Sequence, residues 1–163
     1  MATLMLACSY LAGAAQIIVY YFLLPDTIAT HFNASGVPDS WGGKTAYTIT
    51  MLLVLTCMSL LWLLIAIVLK KVPVRFISMP NREYWFSEER RASTLSMIAK
   101  YLFLMGASTN VLLIAVNFLT FSANTHADVR LNTLQTTVSL GLYCAVLALI
   151  IAAMIVRFRK RDA

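Results

Sequence analysis

Acidic residues are scarce in this chain and absent from its long apolar runs. Seven Asp and Glu stand in 163 residues against thirteen Lys and Arg; charged residues make up 12% and hydrophobic ones 60%. That leaves too little polar side chain to cover a soluble globule, so lipid is the expected solvent. No Gly-x-Ser-x-Gly elbow occurs and no glycine-rich phosphate loop opens a helix, which removes the familiar nucleophilic and phosphate-cradling sites and leaves no catalytic residue to name. Cysteines are few: Cys8, Cys57 and Cys144 all fall inside apolar runs, so no disulfide framework is expected. Intramembrane ionisable groups, which usually mark ion or proton paths, are missing too, apart from Lys100 near one end of its run.

What the chain does contain is four apolar runs, at about 3–24, 46–69, 95–121 and 133–156. About 20 mostly apolar residues cross about 30 Å of hydrocarbon. The expectation is a single transmembrane domain over 1–163, an all-α integral membrane four-helix bundle. The first run has no basic residue before it and no clear cleavage site after it, so it reads as a span rather than a removed signal. Met5-Leu6-Ala7-Cys8 only loosely resembles a lipoprotein cleavage site, and the apolar run before it is too short.

Charge placement sets the orientation. A net charge of +6 would raise nucleic-acid binding in a soluble protein, but eleven of the thirteen cations sit where topology wants them. They are Lys70, Lys71, Arg75, Arg82, Arg90, Arg91 and Lys100, then Arg157, Arg159, Lys160 and Arg161. The other two connections hold only Lys44 and Arg130. By the positive-inside rule the middle loop and the tail are cytoplasmic, both termini are inside, and the loops at 25–45 and 122–132 face outward. The bilayer and another membrane protein or a secreted peptide are the expected partners; nucleic acid is not.

Within the runs, Ala12-Gly13-Ala14-Ala15 marks a close helix approach, and Asn110 and Asn117, seven apart, share a face with Gly106 and Thr109 nearby. Gln135 and the Gly141/Ala145 pair are the fourth run's counterparts. Cross-helix amide bonds are the favoured reading, a polar substrate path the alternative. Before the third run, Ser87 with Glu88 and Glu89 reads as a helix N-cap and acidic first turn. Tyr84, Trp85 and Phe86 with Arg82, Arg90 and Arg91 read as a cytoplasmic interfacial anchor, with a partner-binding patch as the alternative.

The connection after the first run is long for so small a protein and dense in turn formers, which favours an ordered outer loop. Both histidines and three of the seven acids belong to the outward side: Asp26, His31, Asp39, His126 and Asp128. His31, Asp39 and His126 are the residue types that hold a divalent cation such as zinc, though their spacing matches no standard metal signature, and no other cofactor is implied. His31 is also a candidate general base or pH sensor. Structural hydrogen bonding is the plainer reading.

The stretch Leu24-Pro25-Asp26-Thr27-Ile28-Ala29-Thr30-His31-Phe32-Asn33-Ala34-Ser35-Gly36-Val37-Pro38-Asp39-Ser40-Trp41-Gly42-Gly43-Lys44 resembles the signature of a bacterial membrane family, domain of unknown function 1648. That pattern runs Leu-Pro, Ile-Pro-x-His-Phe, Asn-x-x-Gly-x-Pro-Asp and Trp-Gly-x-Lys. The resemblance covers the first two spans and their loop, and departs at Ala29, where the family commonly has proline. Met79-Pro80-Asn81-Arg82-Glu83-Tyr84-Trp85 resembles a further stretch seen in such proteins. The family is found in SdpI-like immunity proteins, so the resemblance implies a bacterial inner-membrane protein without an assigned reaction. It points to His31, Phe32, Asn33, Gly36, Pro38, Asp39, Trp41, Gly42 and Lys44 as ligand- or partner-binding positions. The function expected is non-enzymatic recognition of a peptide, lipid or partner protein by the outward loop. The alternatives are an accessory subunit of a larger membrane complex and a metal-assisted enzyme at the outer face.

Overall fold

The computed structural model describes residues 1–159; Lys160 and Arg161 of the basic tail lie outside the described residues. Four long helices carry the chain, α1 (Ala2–Leu23), α2 (Lys44–Leu69), α4 (Arg91–Thr125) and α5 (Thr133–Arg159), with a short α3 (Arg82–Trp85) before α4. All four are long and apolar enough to cross a membrane, so the protein is a mostly helical, multi-pass membrane protein. Their ends fall close to the expected runs, except that α4 extends further at both ends. Its 35 residues span about 52 Å, more than crossing about 30 Å of hydrocarbon requires.

The all-α expectation needs one correction. The ordered loop is a β-hairpin of β1 (Thr27–Phe32) and β2 (Pro38–Gly43), paired antiparallel. Pro25 makes the start: the residue before a proline avoids helical backbone, and Leu24 ends α1 at φ −77°, ψ 145°. At the other end β2 runs straight into α2.

The bundle is also less symmetric than expected. α4 packs on α1, α2 and α5, and α1 packs on α2, whereas α5 lies mainly on α4. The core is therefore three-helical. Gly106 marks a close approach, since a Cβ there would stand 2.9 Å from Leu6 Cδ1 and from Trp62 Cγ; at Gly13 it would meet Leu55 at 3.0 Å. Gly141 on α5, one turn from Ala145, has no atom beyond its own helix backbone within 4 Å of its Cβ position. Gly106→Leu should therefore destabilise the protein by about 1–3 kcal/mol through overpacking. Gly141→Leu should leave the thermal melt of the detergent-solubilised protein unchanged.

Polar groups inside the spans are satisfied across helices. Asn110 accepts from Ser59 Oγ at 3.1 Å and donates to Ser9 Oγ at 3.1 Å; Asn117 accepts from Tyr47 OH at 2.9 Å and donates to Gln16 Oε1 at 3.2 Å. Each asparagine thus ties α4 to both α1 and α2. Ser9 and Gln16 repeat the seven-residue spacing of Asn110 and Asn117, which is what two parallel helices in fixed register produce. This agrees with the structural reading of the two amides. Gln135 makes no such side-chain bond: it contributes its backbone N–H to Asn132 Oδ1 at 3.0 Å, the N-cap of α5.

At the end opposite the hairpin, two expectations change. Ser87 does not cap α4 with its side chain; its carbonyl accepts from the N–H groups of Arg90 and Arg91, and the helix starts only at Arg91. Glu88 and Glu89 stay in the preceding turn. Trp85, expected at the membrane interface, is 3% exposed. Its Nε1 donates to the Phe158 carbonyl at 2.8 Å, its ring meets that of Phe158 edge-on, and its own carbonyl accepts from Thr94 Oγ1 at 2.7 Å. Trp85 thus joins the connector to the start of α4 and the end of α5. Around it Arg90 covers the Tyr84 ring and Arg157 the Trp85 ring, while Arg82 reaches the Arg75 carbonyl at 3.4 Å and Arg91 opens α4 exposed.

Candidate functional site: the clamped hairpin

The hairpin turn is built by Asn33 and Gly36. Asn33 Oδ1 accepts from the N–H groups of Ser35 (2.9 Å) and Val37 (3.1 Å), and its backbone pairs with Val37 and Gly36. Gly36 sits at φ +76°, in the left-handed region glycine favours. A Cβ there would stand 2.3 Å from the Leu131 carbonyl oxygen, and the Leu131 N–H donates to the Gly36 carbonyl at 2.9 Å. The α4–α5 connection is therefore seated against the hairpin tip through a position where no side chain fits.

Lys44 closes the base. Its Nζ donates to the Leu24 carbonyl at 3.1 Å and pairs with Asp26 at 3.1 Å, its backbone N–H donates to the Asp26 carbonyl, and it lies over the Tyr21 ring. One side chain thus binds the end of α1 to the start of α2.

The hairpin is fixed to the bundle by Asn124, which sequence reasoning did not single out. Asn124 Oδ1 accepts from the Ala29 N–H at 2.7 Å, and Nδ2 donates to the Ala29 carbonyl at 3.0 Å and to Thr120 at 2.9 Å. Both backbone groups of Ala29, a fully buried residue, are met by one amide. Ala29 is also where the loop departs from the family's usual proline, which has no N–H to give. Beside it Ile28 fills a cluster with Leu24 and Tyr47, packed by Tyr20, Met51 and Phe121; the Tyr20 and Phe121 rings stack at 3.9 Å. Asn124 continues the seven-residue series of Asn110 and Asn117, and that spacing was the available signal.

Register shifts on either side of His31 leave Thr30 and Asp39 outside the regular pairs. Such bulges re-aim side chains, and here His31 Nδ1 meets Asp39 Oδ1 at 2.5 Å with both side chains exposed (70% and 44%). Trp41, opposite Ala29, is 55% exposed. Phe32 pairs with Pro38, and Gly42 admits Thr30, whose methyl lies 3.2 Å from a Cβ position there.

The three residues expected as metal ligands do not assemble. His126 lies back on its own helix, Nδ1 against the Ser122 carbonyl, and among the described residues no three His, Cys, Asp or Glu are grouped to hold a metal ion. His126 instead lines a separate cleft of about 540 Å³ with Asp128, Arg130 and Asn132.

The expected positions therefore divide. Asn33, Gly36, Gly42 and Lys44 shape and hold the hairpin, while His31, Asp39 and Trp41 are presented on it. No curated protein and no solved structure matches the chain. The family match ends before the connector, so the Pro80–Trp85 resemblance lies outside it. Over residues 9–57, which take in most of α1, the whole hairpin and the first half of α2, the chain matches the family model of a domain of unknown function, DUF1648.

Proposed function

We propose that this is a bacterial inner-membrane protein with both termini in the cytoplasm, whose hairpin is a rigid element recognising a peptide or partner protein at the outer face. Orientation is supported by charge: Lys44 and Arg130, the cations at the hairpin end, are paired with Asp26 and Asp128, whereas the opposite end carries an excess of Lys and Arg.

The observation that carries the recognition reading is the exposed His31–Asp39 pair beside Trp41 on a strand pair clamped from below. A surface ion pair contributes about 0–1 kcal/mol to stability. The fold therefore has little need of it, while the clamp keeps it in a fixed position, which lowers the ordering cost of binding. His31→Ala and Asp39→Ala should each leave the thermal melt within about 0.5 kcal/mol of the parent. Both should sharply reduce capture of a partner by photo-cross-linking in native membranes, with the captured protein identified by mass. Unchanged capture in both variants sinks the recognition reading.

A second reading, an accessory subunit of a larger complex, is favoured by α5 alone. This helix packs mainly on α4, with its end meeting Trp85, and leaves the Gly141 surface open, where another helix can approach closely.

A further inference from the structure

At the end opposite the hairpin, α1, α2 and α4 part to leave a groove of about 970 Å³. Its floor is apolar, with Leu63, Ala66, Ala99 and Phe103, and its lining includes two lysines, Lys70 and Lys100. Among the described residues no ion pair involves either lysine. Leu63 lies seven residues along α2 from Lys70, about 10 Å, so the groove reaches well below the level of the cations.

Two cations over an apolar trough, neither ion-paired among the described residues, select a ligand with the same two-part chemistry. A soluble anion has no use for the trough, and a neutral lipid has none for the lysines. Basic pockets between transmembrane helices suit acidic lipid headgroups. We propose that this groove is a binding site for one anionic phospholipid, its phosphate held by Lys70 and Lys100 and its acyl chain laid along Leu63, Ala66 and Phe103. The site is independent of the hairpin's function. It also differs from general attraction of a basic surface to lipid, because Lys71, next in sequence to Lys70, does not line the groove.

The test is native mass spectrometry of the intact protein released from nanodiscs holding equal phosphatidylglycerol and phosphatidylcholine. The expected result is one retained lipid, phosphatidylglycerol over phosphatidylcholine on the order of tenfold. Retention should fall by about that factor in the double variant Lys70→Gln/Lys100→Gln, and persist in Lys71→Gln. Ala99→Phe, which keeps both charges and fills the floor, should also lose the lipid while its thermal melt shows a folded protein. Equal retention of the two lipids, an undiminished adduct in either groove variant, or an equal loss in Lys71→Gln would overturn the proposal.

Discussion

Asn124→Ala is expected to release the hairpin and cost about 2–4 kcal/mol, the largest loss from any single polar side chain here. The substitution leaves the Ala29 N–H and C=O buried without partners, and each buried unsatisfied group costs about 1–3 kcal/mol. Asn117 bonds side chains, Tyr47 and Gln16, which can turn to other partners, and hydrogen bonds between membrane helices average about 0.6 kcal/mol. Thermal melts in detergent should rank Asn124→Ala well below Asn117→Ala. Limited proteolysis should then cut the Asn124→Ala protein within 27–43, where the parent resists. Similar melts for the two variants would mean that the clamp does not hold the hairpin.

The second large effect is expected at Gly36. Alanine there must take φ +76°, which costs about 1–3 kcal/mol, and must place its Cβ 2.3 Å from the Leu131 carbonyl oxygen, a contact backbone cannot relieve without moving. The Leu131 N–H bond to the Gly36 carbonyl is then lost as well. Gly36→Ala should lower stability by about 2–4 kcal/mol and expose the 126–132 connection to protease. Gly43→Ala is the control: its backbone is ordinary (φ −73°) and its Cβ would meet nothing closer than 3.9 Å, so its melt should match the parent.

These effects concentrate where the sequence is hardest to read. Spans follow from length and apolarity alone, so their number and most of their limits were legible, and so was the shared face of Asn110 and Asn117. The hairpin strands were not, because Pro38-Asp39-Ser40-Trp41-Gly42-Gly43 has poor strand propensity; it pairs because Asn33 and Gly36 set the turn and Lys44 closes the base. Asn124 escaped notice because it lies past the expected end of its span at 121, although it continues the seven-residue series. Trp85 looked like an interfacial aromatic since local sequence cannot show that α5 returns to bury it against Phe158. His126 looked like a metal ligand alongside His31 and Asp39, and only the seating of the second connection places it elsewhere.

The signature positions thus separate into builders and presenters. Turn, base and clamp residues shape the hairpin and bond it to the membrane helices. Upon it stand an exposed ion pair, His31 and Asp39, and the exposed indole of Trp41.

The Asn124 clamp joins hairpin to bundle, and hydrogen exchange at the Ala29 amide in the intact protein in lipid nanodiscs tests it most directly. Ala29 bonds a side chain of α4, so its exchange reports the joint between hairpin and bundle. The predicted result is slow exchange, comparable to the amides of α4 at Thr120 and Phe121, lost in Asn124→Ala. Exchange at the rate of an open peptide in the parent protein would contradict it.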